Sequence, residues 1–213
     1  MNIITKKVLL VPAPERGSAL TVNIGEGLTF KIRSLAIAEG CDHGTIDWGD
    51  TKITTVTSNS TDIEHIFPAT GQYLIKFSDD FRAIGISYAK KEYTSTYAPM
   101  TVGFFSDASR LTEIPLAGFY CCTNLARLDV SASAVEKIDS IAFAKCSALE
   151  GELSFPKVAT IVGSVSAEPF TNCVGITALH FADANKESII TGAAYAADPT
   201  LGTGVENVCW FDL

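Results

Sequence analysis

The sequence is short of histidine and lacks the phrases that mark common enzyme classes. Three histidines are spread along 213 residues, and no HExxH, GxSxG, P-loop or GxGxxG phrase occurs. Many metalloproteases, α/β-hydrolases and nucleotide-binding enzymes carry these phrases. Cys173 and His180 are close in sequence, but the repeat described below predicts that one points inward and the other outward. We therefore predict a protein that is not an enzyme and needs no cofactor or metal.

Positive charge and long apolar runs are also scarce. The chain has 16 Lys and Arg against 24 Asp and Glu, a formal net charge of -8. Nucleic acids and anionic membranes attract basic surfaces, so neither is an expected partner. No apolar run approaches the roughly 18–20 residues of a membrane-spanning helix, which argues against membrane insertion. The run Val8–Val11 is shorter than the core of a signal peptide, about 7–15 residues, so no export signal is expected.

The sequence does contain a repeat. An aromatic residue is followed three positions later by cysteine and six positions later by leucine or isoleucine, at Phe119–Cys122–Leu125, Phe143–Cys146–Leu149 and Phe170–Cys173–Ile176. Degenerate copies begin at Phe105 and Tyr195, and the aromatic positions from 119 onward are 24, 27 and 25 residues apart. Periods of about 20–50 residues are typical of solenoids, in which each unit covers the apolar face of its neighbour.

Each repeat combines two local patterns. The phrases "LARLDV", "LSF" and "LHF" alternate apolar and polar residues with the period of a β-strand. The phrases "SIAFAKC" and "EPFTNC" carry small residues at helical spacing, and we expect one short helical turn in each. The predicted unit is therefore a strand with a short helical turn on the opposite side.

The phrase "IDSIAFAKCSAL" at Ile138–Leu149 carries a family resemblance. Together with the other copies it resembles the BspA-like leucine-rich repeat family, over roughly residues 100–211. The resemblance implies a right-handed solenoid with a parallel sheet on its concave side. It also implies a bacterial cell-surface or secreted protein that acts in adhesion or protein recognition.

Three recurrent cysteines occupy one slot of the repeat, and they are Cys122, Cys146 and Cys173. We expect each to fill space between stacked units as a small buried hydrophobe. A metal site needs ligands that converge on one point, whereas equivalent residues of stacked units form a row. The remaining cysteines, Cys41, Cys121 and Cys209, show no CxxC spacing, so inert and mostly reduced thiols are expected.

The first eighty residues show a different pattern, of short β-rich runs separated by Gly, Pro, Asn and Asp. Such runs are typical of an antiparallel sandwich. The phrase "IDWGD" at Ile46–Asp50, followed by "HIFPATGQYLIKF" at His65–Phe77, resembles the PKD domain, which implies an immunoglobulin-like β-sandwich.

The "IDWGD" phrase also suggests roles for its residues. We expect Trp48 to anchor the core between the sheets and Asp50 to accept backbone N–H bonds in a turn. An alternative makes Asp47 and Asp50 a carboxylate pair that binds calcium, but no further ligand series follows. His65 is expected to be a structural hydrogen-bond partner.

Outward positions on the predicted strands form the candidate binding surface. Aligning Leu128, Leu153, Leu179 and Val208 gives one column of Asp129, Ser154, His180 and Cys209 and a second of Arg127, Glu152, Ala178 and Asn207. In solenoids such positions form a continuous surface. The candidate partner-binding residues are Arg127, Asp129, Glu152, Ser154 and His180. A solvated sheet face without a ligand explains the same composition equally well.

These patterns predict a mainly β chain with a PKD-like β-sandwich at residues 1–80 and a BspA-like leucine-rich repeat domain at residues 81–213. We expect the sandwich to pack directly on the first repeat. The predicted function is a non-catalytic bacterial binding module, at the cell surface or secreted, that holds a protein or glycan partner on the concave face. Two alternatives stay open: a structural component of a phage- or appendage-associated assembly, and a carbohydrate-binding accessory module.

Overall fold

The computed structural model describes residues 17–60, 62–87, 97–164, 167–204 and 208–212. Within these ranges the chain forms sixteen strands and two short α-helices, which confirms the predicted mainly-β class.

The first eight strands pair mostly as antiparallel neighbours. They are Ser18–Ile24 (β1), Thr29–Ile32 (β2), Ser34–Ile37 (β3), Gly44–Asp47 (β4), Ile53–Val56 (β5), Ile63–Ile66 (β6), Gly71–Phe77 (β7) and Phe81–Gly85 (β8). Strand β1 shows why such sequences form strands: Leu20, Val22 and Ile24 are buried on one side, and the intervening Asn23 is exposed.

The later strands pair in parallel with one another. They are Thr101–Ser106 (β9), Glu113–Ile114 (β10), Arg127–Asp129 (β11), Lys137–Ile138 (β12), Glu150–Phe155 (β13), Thr160–Ile161 (β14), Gly175–Ala182 (β15) and Val208–Phe211 (β16). They form two series, because longer strands alternate along the chain with the two-residue strands β10, β12 and β14. Sequence analysis did not predict the two-residue series.

Both larger sheets contain strands from before and after residue 80. One sheet has the order β11-β9-β1-β7-β4-β5, and the other has the order β14-β12-β10-β8-β3. Strand β1 pairs antiparallel with β9, and β8 pairs with β3 on one side and with β10 on the other. The first part of the chain thus packs directly on the first repeat through shared sheets. The division at residue 80 lies between β7 and β8 and stays a prediction.

The two smaller sheets complete the strand pairing. Strands β13, β15 and β16 form a three-stranded parallel sheet, and β2 and β6 form an antiparallel pair. The largest described cluster of buried apolar residues extends from Leu20 in β1 to Leu201 near the C-terminal end.

The two-residue strands align equivalent residues of successive repeats. Ile114, Ile138 and Ile161 lie in register and are buried. The residues beside them point outward, and Glu113 bonds to Lys137 at 3.0 Å. Arg82 also bonds to Glu113, at 3.1 Å, so the charges on this side of the molecule are paired within the chain.

The segments between the strands form hydrogen-bonded turns, so the predicted helical turns are wrong in the clear repeats. At residues 139–146, Ala142, Ala144 and Cys146 donate N–H bonds three residues back. A helix does not continue, because Ile141 and Lys145 adopt left-handed φ values of 48° and 64°.

The turns of successive repeats are joined by backbone hydrogen bonds. Ile141 N–H donates to Ala167 O, and Phe143 N–H donates to Pro169 O at 2.8 Å in the next repeat. Repeat-to-repeat bonds therefore satisfy N–H groups that a helix would have bonded internally. The short-range pattern of small residues resembles a helix, but the competing long-range bonds decide the structure.

Helices occur near the C-terminal end. A 3₁₀ helix at Asp183–Asn185 leads into α1 (Lys186–Ile190), and α2 (Ala193–Ala197) follows. A further 3₁₀ helix spans Ala98–Met100. The degenerate repeat at Tyr195 therefore differs from the clear copies, since Tyr195 lies on α2.

The aromatic residues of the repeats stack into a column. Phe119 and Phe143 lie 5.4 Å apart between ring centroids, and Phe143 and Phe170 are also 5.4 Å apart, both pairs nearly parallel. Phe104 packs on Phe119 at 4.9 Å, while Phe105 is only half-buried on β9. The expected copy beginning at Phe105 is thus wrong by one position at its aromatic residue.

Candidate functional site

We use the name "outward face" for the side of strands β9, β11, β13, β15 and β16 that points away from the buried core. Leu153, Leu179 and Phe181 point inward and are buried. Their neighbours Glu152 and Ser154 are exposed, and His180 is partly exposed, as the two-residue alternation of a strand requires.

The strand pairing aligns most of the predicted columns. Leu153 lies opposite Leu179, which lies opposite Val208. The same register places Ser154, His180 and Cys209 opposite one another on adjoining strands, and Glu152 lies opposite Ala178. This part of the predicted alignment is confirmed. Asn207 of the second column lies outside the described residues.

Strand β11 is not joined to those columns by strand pairing in the described residues. It pairs with β9, where Arg127 lies opposite Gly103 and Asp129 opposite Phe105. Strands β11 and β13 lie close together but belong to different sheets. The alignment of Arg127 and Asp129 with the columns of β13 therefore stays a prediction. Asp129 accepts bonds from Ser131 in a local turn.

The five candidate residues thus fall into two groups on the outward face. Glu152, Ser154 and His180 are held together on β13 and β15, and His180 Nε2 lies 3.0 Å from Glu152 Oε2. The side chains of His180 and Glu152 are 27% and 70% exposed. Arg127 and Asp129 lie on β11, where both are exposed.

Asp129 and Arg127 differ in the bonds that their charged groups make within the described residues. Asp129 Oδ1 accepts bonds from the N–H and the hydroxyl of Ser131, at 3.0 and 2.7 Å. Within the described residues Arg127 has no ion-pair partner. Its guanidinium can therefore bind an acidic or carbonyl group of a partner without first breaking an internal bond.

Two aromatic side chains on this face were not predicted as part of it. Phe105 and Phe211 are half-buried, and the Phe211 ring centroid lies 6.5 Å from that of His180. The Phe105 ring covers Gly103, since a Cβ at Gly103 would lie 3.2 Å from Phe105 Cε2. Phe105 lies opposite Asp129 of β11, and this pairing shows that its side chain points outward. The sequence alone does not show it, because the register of β9 against β11 has to be known first.

The recurrent cysteines lie behind this face, in the core. Cys122, Cys146 and Cys173 are buried, as predicted. The Cys146 thiol donates to Phe119 O at 3.1 Å, and the Cys173 thiol donates to Phe143 O at 3.0 Å.

Burial also changes the chemistry of these thiols. Removal from water raises the pKa of Cys122 and of Cys146 well above the ordinary value for a thiol, because a thiolate loses its hydration there. Cys122 and Cys146 are therefore suited to packing and not to nucleophilic chemistry.

The "IDWGD" phrase forms a buried cluster in the first part of the chain. The Trp48 ring stacks on His65 at 4.5 Å, and Trp48 Nε1 donates to Thr54 Oγ1 at 2.9 Å. His65 Nε2 lies 2.8 Å from Asp50 Oδ2, with side chains 13% and 4% exposed. The expectations that Trp48 anchors the core and that His65 is a structural hydrogen-bond partner are confirmed.

The carboxylates of this phrase are occupied by protein donors. Asp47 Oδ1 accepts from Gly49 N–H, and Asp50 Oδ1 accepts from Lys52 N–H. Burial alone would raise the pKa of Asp50, but bonds from His65 and from the Lys52 N–H outweigh it, so the pKa lies below its ordinary value. Both carboxylates therefore have structural roles: each accepts a backbone bond in a turn, and Asp50 also forms a buried pair with His65.

Neither a metal centre nor a membrane helix is found in the part of the chain that the structure describes. No group of three or more His, Cys, Asp or Glu there is arranged to hold a metal ion. No helix there is long and apolar enough to cross a membrane.

The chain was also compared with known proteins. No protein-family model, curated protein sequence or solved structure matches it.

Proposed function

We propose that the chain is a non-catalytic binding module, in which a PKD-like β-sandwich is followed by a BspA-like leucine-rich repeat solenoid. The recurrent Phe and Cys positions support the repeat family, because their rings and thiols recur at equivalent places in successive units. The paired Trp48 and His65 phrases support the sandwich family. In this proposal the module acts at a bacterial cell surface or after secretion.

The observation that carries the proposal is the register of the outward face. Ser154, His180 and Cys209 lie side by side on three parallel strands, with Glu152 bonded to His180. Polar side chains fixed on rigid strands offer a pre-organised surface, which lowers the entropy lost on binding. A partner can therefore bind across several repeats at once.

The ladder of the two-residue strands β10, β12 and β14 is a poorer candidate for the partner-binding surface. Its outward charges at Arg82, Glu113 and Lys137 bond to one another, and Lys137 also bonds to Asp139 at 2.8 Å. A partner would have to displace these internal bonds before using the charges. Arg127 on the outward face carries no such penalty, which is why we place the partner there.

The chemistry of the face favours a polar partner. It offers a guanidinium at Arg127, a carboxylate at Glu152, and partly buried rings at Phe105 and Phe211. Arginine and aromatic residues dominate the energy of many protein interfaces. A protein segment or a glycan that presents carbonyl and hydroxyl groups fits this set.

A binding screen with matched variants tests the proposal. The wild-type chain is applied to immobilised glycans and to a panel of extracellular-matrix and bacterial surface proteins. A face variant combines R127A, D129A and E152A. A control variant combines K157A, D183A and E187A, which remove the same charges from exposed positions outside the parallel strands of the outward face.

The expected result is a ligand retained by wild type and control but bound at least about tenfold more weakly by the face variant, a loss of about 1.4 kcal/mol. Equal binding by all three proteins would place the site elsewhere. Uniformly blank arrays would contradict the binding proposal and favour the structural alternative.

A further inference from the structure

Cys209 has a surrounding that sets it apart from the thiols of the core. It lies directly opposite His180 on the adjoining parallel strands β16 and β15. Residues paired in this way project to the same side, from strands about 4.8 Å apart. The rings agree with this placement: Phe181 and Trp210 pack together at 6.0 Å on the core side, while Phe211 lies near His180 on the outward side.

The imidazole beside Cys209 is oriented by a carboxylate. His180 Nε2 lies 3.0 Å from Glu152 Oε2. In neutral histidine the nitrogen that faces a carboxylate carries the proton, which leaves Nδ1 as the acceptor. In this arrangement the Glu152 carboxylate orients the His180 imidazole, and the imidazole lies beside the Cys209 thiol. A base that is oriented by a third group in this way can activate a neighbouring nucleophile.

The other half-buried thiols lack this arrangement in the described residues. Cys41 lies beside the Arg110 guanidinium, and burial is the largest influence on its thiol, raising its pKa. Cys121 occupies a left-handed turn position at φ 60°. The three thiols have similar burial, so they form an internal comparison for the effect of the histidine.

We propose that Glu152, His180 and Cys209 form a thiol–imidazole–carboxylate centre, which makes Cys209 the most reactive thiol of the chain toward small disulfides. His180 Nδ1 accepts the thiol proton, and the Cys209 thiolate attacks one sulfur of the disulfide. A new S–S bond forms at Cys209 as the S–S bond of the reagent breaks. The leaving thiolate takes up the proton, so one thiol is oxidised and one half of the reagent is reduced.

The consequence is a reversible modification site on the outward face. A group added at Cys209 would stand beside His180 and Phe211, where we propose that a partner binds. The chemistry itself needs no partner, so its test is independent of the binding proposal.

The test measures the modification rate of each cysteine. The full chain is incubated at pH 7 with oxidised glutathione, quenched in acid and digested, and mixed disulfides are quantified by mass spectrometry. We expect Cys209 to react about tenfold faster than Cys41 and Cys121, which is less than the roughly 10²–10⁴-fold that a well-positioned general base contributes. Cys122, Cys146 and Cys173 should stay unmodified while the chain is folded.

Two variants separate catalysis by the imidazole from simple exposure. His180→Gln should lower the Cys209 rate about tenfold and leave Cys41 and Cys121 unchanged. Glu152→Gln should produce a smaller loss at Cys209 alone.

The proposal can fail without any variant. If wild-type Cys209 reacts no faster than Cys41 and Cys121, the centre does not exist as described. An unchanged Cys209 rate in His180→Gln would also overturn it. If that variant exposes Cys122 to the reagent, it has lost its fold, and the wild-type comparison and Glu152→Gln then decide.

Discussion

Two histidine–carboxylate pairs, one on each side of residue 80, have similar bonds and opposite surroundings. His65 and Asp50 lie 2.8 Å apart with side chains 13% and 4% exposed, while His180 and Glu152 lie 3.0 Å apart with side chains 27% and 70% exposed. The first pair is enclosed by rings, and the second faces solvent. We therefore expect the exposed pair to stabilise the fold less, although its bond is of similar length, because an exposed pair gains little over its hydrated groups.

The two regions also differ in how they fill the core. In the antiparallel region the Trp48 ring contacts rings of two different types, those of His65 and Phe67. The parallel region uses the same residue type at each level, with Phe119, Phe143 and Phe170 in one column. Replacing Phe143 would remove two contacts of the same kind, one to the Phe ring on each side. Replacing Trp48 would remove contacts to residues of different types.

The largest effect is expected in the middle of the column. Phe143→Ala removes a fully buried ring with a ring on each side, so it should lower the free energy of unfolding by about 3–5 kcal/mol. Chemical denaturation measures the loss. Phe211→Ala, on the outward face, is the control and should lose less than about 1 kcal/mol. Similar losses would show that the column does not hold the repeats together.

The second effect compares the two pairs directly. Asp50→Ala leaves the His65 ring without its buried partner and should lower stability by about 1–3 kcal/mol. Glu152→Ala removes the exposed partner of His180 and should change stability by less than about 0.5 kcal/mol. Both variants are measured by urea denaturation under the same conditions. Equal losses would contradict the claim that burial decides the value of the bond.

The third effect concerns the buried thiols. Cys146→Ala removes one buried sulfur, and Phe119 O keeps its bond from Cys122 N–H, so the loss should be about 1 kcal/mol from the small cavity. Cys121→Ala, at a half-buried turn position of the preceding repeat, should change stability by less than about 0.5 kcal/mol. Thermal unfolding of both variants checks the difference. A Cys146→Ala protein as stable as Cys121→Ala would mean that the row does not need its sulfur atoms.

The smallest expected effect is a pH dependence of stability, which comes from Asp50 in the antiparallel region. The folded state lowers the pKa of Asp50, so the unfolded state binds more protons in the acid range. The stability that Asp50 contributes is fully present above its unfolded pKa, about 3.9, and is lost as pH falls through the folded value.

The measurement is the stability difference between wild type and Asp50→Ala from about pH 5 downward. The difference should shrink with falling pH, whereas the corresponding difference for Glu152→Ala should stay near zero. A constant difference for Asp50→Ala down to the lowest pH would contradict the assignment.

Much of the parallel region could be predicted because its signals are periodic. The spacing of Phe119, Phe143 and Phe170 predicted one buried slot, and the alternation in "LSF" and "LHF" predicted which residues face outward. The Ser154, His180 and Cys209 column followed from that alternation. The alternation of buried and exposed residues is a local property of each repeat, so the sequence shows this pattern several times.

The errors arose where distant backbone groups compete with local preference. Small residues near Ile141 suggested a helical turn, but the segment bonds to the next repeat and forms turns in which Ile141 and Lys145 have positive φ. The two adjacent rings at Phe104 and Phe105 suit either face, and only the pairing of β9 with β11 identifies Phe104 as the buried one. The two-residue strands were missed because they are too short to show alternation.

The sequence by itself determined that this chain is mainly β, that equivalent Phe and Cys residues are buried, and that Trp48 anchors the first region. These are properties of side-chain hydrophobicity and spacing, which each unit expresses locally. Only the tertiary structure decided that the sheets run across residue 80, that β11 pairs with β9, and that Glu152 orients His180 beside Cys209. Those facts depend on strand register, which is set by backbone hydrogen bonds between segments far apart in the chain.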